Sequence, residues 1–268
     1  ETAALEYLRQ NASVLDQPAA PLFREPVTLP LEEAVATLSF AEKSNCFNIN
    51  DLVDQAEDGF VADEAAQERF AQLIVAVGGS RSAGEQMAAR IADFMDSDNR
   101  VGTGGAEDFD YMRRPVPYRT SGSLMLSISE LRVVEGFSRD VYRSLVPYLC
   151  ALPTDGAGTL NINTLNEADA PLLMAATGNA LTVDQARRLI RARPEQGYES
   201  VEAFLGDPAL SGLDLPADTP VFLDITSGLV AMEVVLENAA GRLRQETLVS
   251  RRDNNVTVLE RRVGERLP

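Results

Sequence analysis

The chain has 268 residues, 45% of them apolar, and a formal net charge of −17 from 41 acidic against 24 basic residues. That length and apolar content support a sizeable buried core, while the acidic balance disfavours nucleic acid and anionic membranes and suits cations or basic partners. Histidine is absent, which removes Ser-His-Asp and Cys-His catalysis and imidazole zinc sites. Lys43 is the one lysine and follows no glycine-rich loop, and no carboxylate pair is marked as a glycosidase dyad, so the expectation is a protein that is not an enzyme.

Glu1 to Val14 carries a short helical stripe of Ala4, Leu5, Leu8 and Ala12. Pro18, Pro21, Pro26 and Pro30 then read as an extended connector, and Ala34 to Phe40 alternates as a half-buried strand does. From Cys46 to about Leu215 the pattern is helical and contains an internal echo: Phe47-Asn48-Ile49-Asn50 returns as Leu160-Asn161-Ile162-Asn163. Each copy leads into helix, glycine turn and helix, with Gly78 and Gly178 at the turns. Ser127 with Glu130, Thr164 with Glu167 and Thr182 with Gln185 stand at capping-box spacing. No apolar stretch approaches the 18 residues of a membrane span; the longest are Leu73 to Val77 and Leu229 to Leu236.

Between the two copies, Asp96 to Tyr111 gathers five carboxylates in sixteen residues around three glycines. Crowded like charges call for a hard cation, and glycines let the backbone curl into the oxygen cage that Ca²⁺ prefers. Asp96, Asp98 and Glu107 occupy EF-hand positions one, three and twelve, but Arg100 and Val101 stand at five and six and no helix is expected over 112–117. The reading is a Ca²⁺ loop of another kind, with a solvated acidic loop as the alternative. Cys46 and Cys150 match no metal or redox spacing, and a disulfide between them is expected, in an oxidising compartment such as a periplasm; the alternative is two free thiols in the cytosol.

Leu160 to Leu205 also resembles the helix-hairpin-helix units of DNA-uptake and repair proteins, which makes a nucleic-acid binding protein the alternative function. Asn179-Ala180 replaces the second hairpin glycine, however, and four arginines face six acids in that stretch, so a packing module is expected and nucleic acid is not. Beyond Pro220 the period becomes two: Val221 to Leu236, Arg242 to Arg251 and Val256 to Arg262 read as a meander turning at 238–241 and 253–255. With Ala34 to Phe40 as fourth strand, the fold class is α+β. Residues 1–45 and 216–268 form an antiparallel sheet core, and 46–215 form an inserted all-α domain.

Seven motifs occur in one order: Phe47-Asn-Ile-Asn-Asp-Leu52, Ile91-Ala-Asp-Phe-Met-Asp-Ser-Asp98, Gly105-Ala-Glu-Asp108 with Tyr111, Pro117-Tyr-Arg119, Ser129-Glu-Leu-Arg132, Leu145-Val-Pro147 and Leu160-Asn-Ile-Asn-Thr164. From about residue 35 to the end the chain thereby resembles the K-type minor pseudopilins of bacterial type II secretion systems, the general secretion pathway protein K family. The resemblance implies a pilin-like core with a large inserted α-domain and a structural role at the pseudopilus tip. It implies I-type and J-type minor pseudopilins as partners in a heterotrimer, with secreted substrates as further partners, and Ca²⁺ held by Asp96, Asp98, Glu107 and Asp108. It also implies a periplasmic domain anchored in the inner membrane by an N-terminal helix, preceded by a prepilin leader, that is absent from this chain.

Overall fold

In the computed structural model, which describes residues 2–10, 23, 25–153, 159–252 and 255–264, the chain opens with α1 (Thr2–Gln10), β1 (Val27–Pro30) and β2 (Val35–Glu42). The middle runs β3 (Phe47–Asn48), β4 (Val53–Ala56), β5 (Gly59–Ala62), α2 (Glu64–Ala76), α3 (Arg81–Met95), α4 (Asp108–Met112), α5 (Arg139–Leu145) and β6 (Leu149–Cys150). It continues through β7 (Leu160–Asn161), α6 (Ala170–Ala176), α7 (Val183–Ala192), α8 (Val201–Leu205) and β8 (Leu223–Asp224). Three long strands end it, β9 (Leu229–Asn238), β10 (Gly241–Arg252) and β11 (Asn255–Val263).

Both ends of the chain build one antiparallel sheet in the order β1-β2-β9-β10-β11. Alternation puts Ala36, Leu38 and Phe40 on one face, and the register sets Leu38 opposite Val234 and Phe40 opposite Met232. These side chains, with Val230 and Val249, bury against Leu8 of α1 and form a core of their own, each large apolar residue contributing about 1.5–3 kcal/mol. The second and larger core runs from Ile49 to Leu223 within the helical domain, past the expected boundary at 215.

The two repeats form corresponding units. In the first, α2 and α3 meet across Gly78 (φ +94°), and Gly84 lets them touch, since a Cβ there would lie 2.7 Å from Ala71 Cα. In the second, α6 and α7 meet across Gly178 and Asn179, both at φ 60°. Each Asn-Ile-Asn entrance is a two-residue strand in a parallel pair: Asn48 lies opposite Cys150, and Asn161 opposite Asp224. Cys46 and Cys150 form the expected disulfide, with Cα atoms 5.8 Å apart.

Several expectations are corrected. Val221 does not begin a long strand: Pro220 suits the first turn of the 3-10 segment Thr219–Phe222, Asp224 Oδ1 accepts from the N–H groups of Ile225 and Thr226, and the sheet strand starts at Leu229. Part of the proline connector is an edge strand, β1, where Pro30 lacks no needed ladder bond; Pro18, Pro21 and the turn residues Asp253 and Asn254 lie outside the described residues. The capping box expected at Thr164 and Glu167 is made instead by Asn166 and Asp169, while Thr164 Oγ1 accepts from Asn45 Nδ2 at 2.9 Å. Those of Ser127 with Glu130 and Thr182 with Gln185 are present.

At the junction of the two cores, Glu42 Oε1 accepts from the N–H groups of Lys43 and Ser44 and Oε2 accepts from Thr164 Oγ1 and Ser227 Oγ. Burial raises this carboxyl above its ordinary range. Among the described residues no helix is long and apolar enough to cross a membrane.

Candidate metal centre

Helix α3 buries Ala88, Ile91, Ala92 and Met95 in the core. Asp93 and Asp96, three residues apart, share a neighbouring face at its C-terminal end, where Asp96 leaves the helix with extended backbone (φ −70°, ψ 173°). The loop then folds back over Asp93. Gly102 N–H donates to Asp93 Oδ2 at 3.0 Å, and Gly105 passes so close that a Cβ would lie 1.9 Å from the same oxygen. Glycine is required there by close approach. The loop ends at Glu107, the N-cap of α4, whose N–H donates to Asp110 Oδ2 at 3.3 Å.

Asp93, Asp96 and Glu107 thus converge, with one carboxylate oxygen from each lying within 4.8 Å of the others. Their residues are only 3%, 7% and 2% exposed. Asp96 Oδ1 and both Glu107 carboxylate oxygens have no hydrogen-bond partner. The nearby arginines are engaged elsewhere: Arg90 and Arg114 pair with Glu135 at 3.7 and 2.9 Å, and Arg90 also donates to Gly104 O. Burial first, and neighbouring carboxylates after it, push Asp93 and Asp96 up to about 6 and Glu107 up to about 7. Orphaned buried anionic oxygens are costly, and a bound cation removes that cost. The donor set is all oxygen, which suits a hard divalent ion such as Ca²⁺.

Of the expected ligands, Asp96 and Glu107 stand in this cluster. Asp98 is exposed and its Oδ1 accepts from Arg100 N–H at 2.6 Å, although its charge helps raise Asp96 and Glu107. Asp108 is outside: its Oδ1 accepts from Thr120 N and Oγ1, each at 2.9 Å, and Arg119 lies 3.7 Å from Oδ2. Asp93 is the member that sequence reasoning missed, because it sits inside a helix whose buried positions read as core. The available signal was a second acid three residues before Asp96, followed by closely spaced glycines.

The hairpin of the second unit is covered by protein. Asn179 Nδ2 donates to Gln72 O and Oε1 at 2.9 and 2.6 Å, and Pro216 lies 2.6 Å from where a Gly178 Cβ would be. Its backbone is not presented to a phosphate. Arg193 donates to the carbonyls of Ile162 and Leu165 at 3.0 and 2.9 Å, closing the unit on itself.

The fold is thus an antiparallel sheet built from both ends of the chain, packed on a helix and interrupted by a large helical insertion. Family models described as Type II secretion system (T2SS), protein K match residues 45–154 and 160–226. Type II secretion system protein K of Klebsiella pneumoniae is 34% identical over 233 residues, 87% of this chain and 70% of that protein. The corresponding protein of Pectobacterium carotovorum subsp. carotovorum is 41% identical over 178 residues, 65% of this chain and 54% of that protein. The match to the latter thus spans about half of that relative's length. A chain in the crystal structure of the GspK-GspI-GspJ complex from the enterotoxigenic Escherichia coli Type 2 Secretion System aligns with a TM-score of 0.75 and 26% identity, over 99% of this chain and 95% of that one. The chain belongs to the type II secretion system protein K family.

Proposed function

We propose that this protein is the tip subunit of a type II secretion pseudopilus, assembled with I-type and J-type minor pseudopilins, and that Asp93, Asp96 and Glu107 hold a structural Ca²⁺. The observation that carries the metal reading is the set of three buried oxygens on Asp96 and Glu107 that lack any hydrogen-bond partner. Asp98 adds negative potential from the rim, and Asp108 is engaged with Thr120 instead. The ion supplies charge neutralisation and fixes Glu107, hence the start of α4; it takes part in no reaction.

The partner reading is supported by the likeness to a chain solved in a K-I-J complex. The bulk of the helical insertion also suits the end of a filament better than its shaft, where every subunit must stack on identical neighbours. Family membership further supports a periplasmic location, and inner-membrane anchoring by an N-terminal helix is part of the proposal. Scanning calorimetry with Ca²⁺, Mg²⁺ and chelator tests the metal, with Ca²⁺ expected to raise the melting temperature and Asp96→Asn to abolish the rise. Equal melts with and without Ca²⁺ reject it. Co-purification with the I-type and J-type proteins tests the assembly.

A further inference from the structure

Directly after the metal loop, Phe109, Met112 and Val116 are 69%, 48% and 75% exposed. Phe109 and Met112 are three apart on α4 and therefore neighbours on its surface. Val116 sits between Pro115 and Pro117, which restrict the backbone on both sides of it. The segment is also pinned from beneath. Tyr111 is fully buried, the Arg114 guanidinium lies 4.4 Å from its ring centroid and pairs with Glu135 at 2.9 Å, and Tyr118 Oη donates to Val133 O at 2.5 Å. Apolar side chains held outward on a rigid support lose little entropy when they are covered.

The local charge runs against the balance of the whole chain. Residues 109–119 hold three arginines against one acid, in a chain of net −17. Asp110 is taken up by the Glu107 N–H. Arg113 stacks over the Phe109 ring at 5.1 Å, and Arg119, 76% exposed, leans on Asp108 at 3.7 Å. An apolar knuckle flanked by outward guanidinium groups is complementary to a segment that mixes carboxylates with aromatic or aliphatic side chains.

We infer that Phe109, Met112 and Val116, with Arg113 and Arg119, form a docking surface for an acidic, apolar segment of another protein. The large negative charge of the chain argues against an anionic membrane as the occupant. The inference rests on the calcium reading only in that Glu107 caps the helix carrying Phe109 and Met112.

The test is fluorescence anisotropy with a labelled synthetic peptide in which Glu alternates with Leu and Phe, and with its counterpart bearing Lys for Glu, in saturating Ca²⁺. The Glu peptide is expected to bind, with affinity falling as salt rises, and the Lys peptide is not. Phe109→Ser combined with Val116→Ser is expected to weaken binding of the Glu peptide about tenfold or more while leaving the calcium melt shift unchanged, and Arg113→Glu to weaken it and flatten its salt dependence. Equal binding of both peptides, unchanged affinity in the variants, or capture by anionic vesicles in place of the peptide overturns the inference. Peptide binding without a calcium melt shift rejects the metal reading and leaves the surface standing.

Discussion

In the first helical unit Asn50 grips a distant strand of chain, donating to Met125 O and Leu152 O and accepting from Met125 N–H; in the second Asn163 does the same to Tyr198, donating to its carbonyl and accepting from its N–H. The closures differ. The entrance of the first unit is tied by the Cys46–Cys150 disulfide, and that of the second by Asn161 Nδ2 to Ser227 Oγ and Ile162 N–H to Asp224 O. The second helix of the first unit ends in two buried carboxylates, Asp93 held by Gly102 N–H and Asp96 with one oxygen lacking a partner, whereas that of the second leads into Arg193, whose guanidinium caps two carbonyls of its own entrance. The second unit carries its own cation, Arg193, whereas the first is tied by a disulfide and, in the proposed reading, by a cation from its surroundings. On that reading the same repeat is self-sufficient in one copy and sensitive to its compartment in the other.

Removing the disulfide is the largest way to break that contrast. With a sequence separation of 104, Cys46→Ser with Cys150→Ser should cost about 4–5 kcal/mol in the chain-entropy model, read by urea titration, with hydrogen exchange rising first around β3 and β6. Chelation comes next: at a Ca²⁺ concentration about 100 times Kd, the ion contributes about 2.7 kcal/mol, and exchange protection should fall in the loop after α3 and not in the second unit. Arg193→Ala should cost about 2–3 kcal/mol by leaving two carbonyls without their charged donor, equally with Ca²⁺ and chelator. A calcium-dependent cost would show that the units are coupled.

The pH response sharpens the comparison further. Because Asp93, Asp96 and Glu107 are raised to about 6, 6 and 7, the folded ion-free protein binds protons more tightly than the unfolded chain. Its stability should fall as pH rises from the ordinary carboxylate value of about 4 through about 7, and Ca²⁺ should cancel the fall. The calcium melt shift should therefore widen between about pH 5 and about pH 7.5; a shift independent of pH contradicts the assignment of these three carboxyls. The smallest effects are the helix caps. Ser80 and Thr182 accept from the N–H groups of Ala83 and Gln185 at the corresponding helices, and alanine at either should cost about 1 kcal/mol, without regard to Ca²⁺ or reductant.

The sheet was legible because strand alternation and turn residues are local signals, and Ala34 to Phe40 had the right parity to face Val230, Met232 and Val234. The echo of Asn48 and Asn161 was equally legible as a repeat. Its structural meaning was not, since a two-residue parallel pair has no periodicity to read and its partner lies far away, at Cys150 or Asp224. The metal centre was half legible. Asp96 and Glu107 bracket the glycine loop, but the burial of Asp93 is created by Gly102 and Gly105 folding back over it, and a tertiary event of that kind leaves no pattern in the helix itself. Asp108 entered the expected ligand set only through the family's Gly-Ala-Glu-Asp motif, and in the structure its carboxylate accepts from Thr120.

The neighbouring strands β2 and β9 pair Leu38 with Val234, so roughly three quarters of the chain intervenes between them. Closing so long a loop is entropically unfavourable until the insertion has compacted it. The expected order of assembly, testable by pulsed hydrogen exchange during refolding, is that the helical domain condenses first and brings the sheet's two halves within reach, after which β9 to β11 complete the platform beneath Leu8. A chain truncated before residue 229 has a helical domain and no sheet core. The sheet is thus a long-range closure, and a change that loosens the insertion is expected to loosen the pairing of β2 with β9 as well.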